Sequence, residues 1–119
     1  MSPNILIALT NPIEGEDDAF NAWYDTQHVP EVLEVPGVVA AQRYDLAELP
    51  VPEDPDLPVQ LPPPAHRYMV IYELDSDPEA VLSEFVKRVM SGTMLLSEWM
   101  DLTTVELTGW APRGQRVQR

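Results

Sequence analysis

The chain has 119 residues, with 20 acidic against 7 basic side chains, a formal net charge of −13 and no cysteine. A surface this acidic repels phosphate backbones, so nucleic acid is not an expected partner. The lack of cysteine excludes disulfides, thiolate nucleophiles and Cys-based zinc sites.

The length corresponds to one domain, residues 1–119, and 45% hydrophobic residues is a globular composition. Three of the seven bases, Arg113, Arg116 and Arg119, lie in a basic C-terminal tail, 112–119. The body before it is therefore more acidic than the total says. The opening "MSPNILIALT" has no basic segment, and its apolar run spans only Ile5 to Leu9. That is too short for a signal peptide or a membrane span. The expectation is a soluble cytoplasmic protein with no membrane partner.

Asn4 to Thr10 is a short Ile/Leu-rich run ended by Asn11-Pro12, which predicts a buried strand. Glu14, Glu16, Asp17 and Asp18 then cluster where a helix dipole favours negative charge. Phe20, Trp23, Tyr24 and Gln27 recur at helical spacing, predicting a helix from about Glu16 to His28. Phe20 and Trp23 should anchor it to the sheet. Pro30 disfavours helical geometry at Val29, so a break or kink is expected there, with a further turn before Pro36-Gly37.

Val38 to Leu49 reads as a strand. Val38, Ala40, Gln42 and Tyr44 are expected on one face, and Val39, Ala41, Arg43 and Asp45 on the other. Residues 50–64 hold seven of the 13 prolines, which cannot donate to a ladder or a helix. This segment is an insertion within the domain, since neither flank is long enough for a core of its own.

Arg67 to Leu74 is the third predicted strand, with Tyr68, Val70 and Tyr72 on one side. Asp77-Pro78 gives a helix cap followed by proline at the first helical position. The helix should bury Val81, Leu82, Phe85, Val86, Val89 and Met90, with Gly92 ending it. "TMLLSEWM" is expected to add a helical turn, and Leu102 to Trp110 to form the last strand.

The order is β-α-β-β-α-β. With short connections and right-handed crossovers this predicts an α+β, ferredoxin-like plait. Its four-stranded antiparallel sheet would carry both helices on one face. Yet "ILIAL" and "YMVIY" are apolar at successive positions, and such runs normally mean burial on both faces. A second copy of the sheet would cover the open face. The competing covers are the Pro-rich insertion and the C-terminal tail.

The stretch "NPIEGEDDAFNAWYDTQHVPEVLEVPGVVAAQRYDL" resembles the N-terminal half of EthD-like proteins in the dimeric α/β-barrel superfamily. The resemblance is carried by Asn11-Pro12 after a strand and by the helix with Phe20, Trp23 and Tyr24. His28-Val29-Pro30, Pro36-Gly37 and a strand with Arg43 and Tyr44 complete it. It implies a homodimer with a barrel-like cavity in each subunit. It also implies chemistry on aromatic, polyketide-like or other hydrophobic small molecules, in many relatives without metal or organic cofactor. His28 matches the recurrent histidine of the group. The Pro-rich segment departs from the compact hairpin of simpler relatives.

His28 titrates near neutrality and lies four residues after Tyr24, so it is the candidate acid/base, with Tyr24 as donor to an oxyanion. Arg43 completes the candidate catalytic set by orienting a carboxylate or phenolate. Trp23, Tyr68, Tyr72 and Asp45 are the candidate substrate contacts. Each has a plain structural alternative: His28 closing the helix end, Arg43 paired with Asp45, the tyrosines and tryptophans as packing. His66, after three prolines, reads as a surface residue. No HxH, HExxH or HxxxH spacing supports a metal, and no nucleophile elbow or nucleotide motif is present.

The expected function is a cofactor-free lyase, dehydratase, cyclase or isomerase working by His28-mediated proton transfer. The alternatives are a non-catalytic binding or carrier protein, and a cofactor-free monooxygenase of the antibiotic-biosynthesis type.

Overall fold

A computed structural model describes residues 2–119. Strand β1 (Asn4–Thr10) has the bounds expected from its apolar run. It pairs antiparallel with β3 (Tyr68–Leu74) on one side and β4 (Glu106–Trp110) on the other. Strand β2 (Val38–Asp45) pairs antiparallel with β3, giving the order β2-β3-β1-β4. The helical segments are α1 (Asp17–Trp23), α2 (Val29–Leu33) and α3 (Pro78–Met90). This is the ferredoxin-like α+β plait.

Leu6, Ala8, Val70, Tyr72 and Leu74 point from one face of the sheet into the core. There they meet Phe20, Trp23, Tyr24, Val32 and Val81 from the helical layer. Asp77 caps α3 by accepting from the Glu79 N–H at 3.2 Å. Gly92, at φ +78°, follows the last turn in the left-handed conformation that glycine allows. Gly37, at φ +97°, makes the turn from α2 into β2 and accepts from the Asp75 N–H at 2.9 Å. No helix among the described residues is long and apolar enough to cross a membrane.

Several expectations are corrected. The first helix does not break at Val29-Pro30. Val29 is right-handed helical, and a π-helical turn, Tyr24–His28, joins α1 to α2. Strand β2 stops at Asp45 instead of Leu49, because its partner strand begins at Tyr68; one more bond, Leu46 N–H to Arg67 C=O at 2.8 Å, closes the pair. A bulge between Val38 and Ala40 shifts the alternation, so Val38 shares the helix-facing side with Ala41, Arg43 and Asp45. Val39 is exposed. On α3 only Val81 is fully buried, with Phe85 and Val89 packed against the core, while Leu82, Val86 and Met90 face outward. "TMLLSEWM" forms turns and not helix, although Met94 and Met100 are buried. Strand β4 starts at Glu106, since Asp101 draws the preceding residues into a turn, accepting from the Thr103 N–H at 3.0 Å.

The open face of the sheet is half-covered. Residues 111–116 of the tail run beside Ile5, Ala40, Tyr44 and Ile71, leaving a groove of about 800 Å³. Every tail residue from 111 to 119 is itself exposed. The Pro-rich insertion lies elsewhere, around a cleft of about 600 Å³ lined by its own residues.

Candidate functional site

The π-helical turn holds the two residues singled out first. Its signature is the Val29 N–H bonding to the Tyr24 carbonyl, five residues back. Proline lacks an N–H and its ring crowds the carbonyl four residues earlier, here that of Thr26. A wider turn just before Pro30 relieves that crowding. The Thr26 hydroxyl donates to the Ala22 carbonyl at 2.6 Å, the back-bonding that bends helices. Asp25, Thr26 and Gln27 face solvent, so Tyr24 and His28 are the side chains this turn sends inward.

His28 is buried, 5% exposed, and lies within a helical run and not at its end. Its ring stacks on Trp23 at 4.7 Å and 21° and meets the Tyr24 ring edge-on at 5.0 Å. Phe85 of α3 closes the third side at 6.3 Å. The Nδ1 atom has no hydrogen-bond partner among the described residues. Burial first, and the Arg43 charge second, hold His28 down from 6.5 to about 4.

Tyr24 and Tyr72 are also buried, at 2% and 4% exposed. Burial pushes the Tyr24 phenol up to about 12, opposed by the Arg43 charge and the Thr10 and Tyr72 hydroxyls. Burial also raises Tyr72, and the neighbouring Tyr24 raises it further. The Tyr72 hydroxyl meets no partner in hydrogen-bonding geometry among the described residues. An unsatisfied buried polar group costs about 1–3 kcal/mol. Among the described residues three buried side-chain atoms lack a partner: His28 Nδ1 and the Tyr72 hydroxyl in this cluster, and Glu31 Oε2, three residues after His28.

Arg43 reaches from β2 across the cluster. Its guanidinium carbon sits 4.5 Å from the Tyr24 ring centroid, 5.7 Å from Tyr68 and 5.8 Å from Phe20. Its partners are Asp25 Oδ1 at 2.9 Å and Asn21 Oδ1 at 2.7 Å, not Asp45. Tyr68 joins the cluster through Phe20, 5.3 Å away, and donates its hydroxyl to Asp17 at 2.8 Å. Arg67 grips the same carboxylate at 2.8 and 3.2 Å, and these two partners, Tyr68 first, hold the half-buried Asp17 carboxyl below its ordinary range.

His28, Tyr24, Arg43, Trp23, Tyr68 and Tyr72 thus come together, as the sequence reading anticipated. Asp45 stands apart, exposed at the end of β2, beside Arg67 and Tyr68 in a cleft of about 170 Å³. Asn21, Asp25, Asp17 and Thr10 were not anticipated as members. Only the acidic cluster before the helix pointed at Asp17, and it was read as a dipole feature. His66 is an anchor: its Nε2 lies 2.6 Å from the Thr104 carbonyl and ties the end of the insertion to the turn before β4.

No family model matches the sequence, and no curated protein matches it. Two solved structures do match. HapK from Hahella chejuensis is 13% identical with a TM-score of 0.53, over 97% of this chain and 99% of that one. An ethyl tert-butyl ether D (EthD) family protein from Bacillus halodurans C-125 is 14% identical with the same TM-score of 0.53, over 93% and 99%. At this identity the likeness is one of fold, and the chain has the fold of HapK and of this EthD family protein along nearly its whole length.

Proposed function

We propose that the chain is a small enzyme that uses no cofactor and moves a proton on a hydrophobic, aromatic or polyketide-like molecule. One observation carries the reading: a neutral imidazole with an unpartnered Nδ1, enclosed with two protonated phenols beneath one guanidinium. Near neutral pH, His28 starts as a free base. It takes a proton from a carbon beside a carbonyl, or from a phenol. Tyr24 and Tyr72 keep their protons at that pH and donate hydrogen bonds to the oxyanion that develops. Burial and the Arg43 charge disfavour the imidazolium, so the proton is readily passed back to another atom of the same molecule. Lyase, dehydratase, cyclase and isomerase outcomes share these steps and differ in where the proton lands.

The test measures initial rate and melting temperature together for His28→Ala and His28→Asn, over a panel of aromatic and polyketide-like carbonyl compounds. Turnover should fall by roughly 10²–10⁴-fold in both while the fold persists. An active His28→Ala with a lowered melting point would refute the assignment. A carrier reading is favoured by one observation, the enclosure of the cluster at 0–7% exposure for Phe20, Trp23, Tyr24, His28 and Tyr72. Tight binding with no turnover across the panel would establish it. Oxygen uptake with any substrate would instead establish the monooxygenase reading.

A further inference from the structure

Arg43 was the expected clamp for a substrate anion, but both of its terminal nitrogens are already engaged. One donates to Asp25 and the other to Asn21, and the flat of the guanidinium lies against Tyr24. The Arg43 side chain is 18% exposed, whereas Asp25 is 61% exposed. The two anchors sit on consecutive turns, Asn21 in α1 and Asp25 in the π-helical turn, on either side of Tyr24 in sequence. A fork held on both prongs and on one face has little freedom to follow a ligand.

We propose that Asn21 and Asp25 are positioning residues: by pinning the Arg43 guanidinium against the Tyr24 ring, they fix where that charge stands relative to His28 and the two buried phenols. This rests on the reading of the His28 cluster as the site and deepens it. Arg43 then acts by its field and not by touching substrate. It keeps the imidazole in its base form and favours the oxyanion that Tyr24 and Tyr72 receive. The groups facing His28 divide cleanly. Trp23, Tyr24 and Phe85 contact its ring, and only Tyr24 of these titrates, far above neutrality. From the sheet, Arg43 brings the one charge that acts on His28, and Tyr72 is neutral. On its own helical run Glu31 follows three residues on, with no ion pair to His28 within 4 Å among the described residues.

The experiment follows the two histidine rings by NMR across acid to neutral pH, in the full chain, with His66 as internal reference. Asn21→Ala is the decisive variant, since it changes no charge. A freed Arg43 swings toward solvent, and the His28 midpoint should rise by roughly half to one pH unit while His66 stays put. Asn21→Ala/Asp25→Ala should raise it further, against the opposite direct effect of losing a carboxylate. Asp25 is exposed and Asn21 only half-buried, so melting temperature should fall little. An unmoved His28 in Asn21→Ala and in the double variant overturns the proposal and leaves the pair as a brace between α1 and β2. A His28→Ala protein that keeps full turnover removes the site reading instead, and leaves the titration result standing.

Discussion

His28 couples folding to acidity in a direction opposite to a histidine held by a carboxylate. Its folded value lies at about 4, below the ordinary 6.5. Between these values the unfolded chain binds a proton that the folded chain refuses. Stability is therefore fully present above about pH 6.5 and is lost as pH falls toward 4. The contribution is on the order of 3 kcal/mol across that window. Urea titrations at about pH 7 and about pH 4.5 should show it in the wild type. His28→Gln should be flatter over the same interval, because glutamine has no proton to gain. Parallel pH profiles for the two proteins would show that His28 is not the group responsible. The spacing of Tyr24 and His28 and the strand position of Arg43 made this cluster legible in the sequence. Its anchors were not legible. Arg43–Asp25 spans 18 positions and Tyr68–Asp17 spans 51, and no local pattern specifies pairings at that distance.

At the scale of elements, β1 could be read to the residue because its run is apolar throughout and ends at Asn-Pro. The α3 cap and its terminal glycine were equally plain. What misled was punctuation with two meanings. Pro30 signals a break when only its own φ and missing donor are considered. The chain instead keeps its helical backbone and redistributes the hydrogen bonds over the preceding turn. The same ambiguity touches α3, where six apolar residues were assigned to the core and the sheet had room for three. The insertion tests a different judgement. Residues 50–64 are exposed except for the half-buried Leu57, and their prolines supply no ladder donors. The structural ties lie just beyond, where the Asn11 amide donates to the Ala65 carbonyl at 2.9 Å and His66 meets Thr104. Replacing 50–64 with a short Gly/Ser turn, and keeping Ala65, His66 and Arg67, should lower the melting temperature by less than about 10 °C. A larger fall in a thermal melt would make the insertion part of the core.

At the scale of the molecule, the sheet's second face decides the assembly. Ile5, Ile7, Leu9, Met69 and Ile71 remain only half-buried there, and the tail bridges part of this surface without being buried itself. A 22 Å shortest dimension is that of one sheet and one helical layer. An apolar sheet face left in water is best covered by a second copy, and an obligate interface of this type buries more than about 2,000 Å². Light scattering at micromolar concentration should therefore give twice the 13.4 kDa chain mass. Ile71→Asp should halve that mass, because a carboxylate at the centre of the face would be desolvated. A wild-type chain that stays at 13.4 kDa would remove the dimer from the account and leave the tail as the only cover.

A π-helical turn is also a helix with one residue too many. Excising Thr26, which is exposed and whose hydroxyl donates to the Ala22 carbonyl, would let the winding return to 3.6 residues per turn. In the shortened helix the Pro30 ring would again crowd the carbonyl four residues before it, so circular dichroism should show a small loss of helix. A wider turn winds each residue by less than an α-helix does, so the surplus residue is absorbed there, and its removal leaves the side chains beyond the cut close to the phase they have now. His28 would keep its side of the helix beside the Trp23 ring, and its protonation midpoint would stay well below the ordinary 6.5. The surplus residue is thus slack taken up ahead of Pro30: the two halves of the helix hold their phase with it or without it, and what it provides is room for the proline ring.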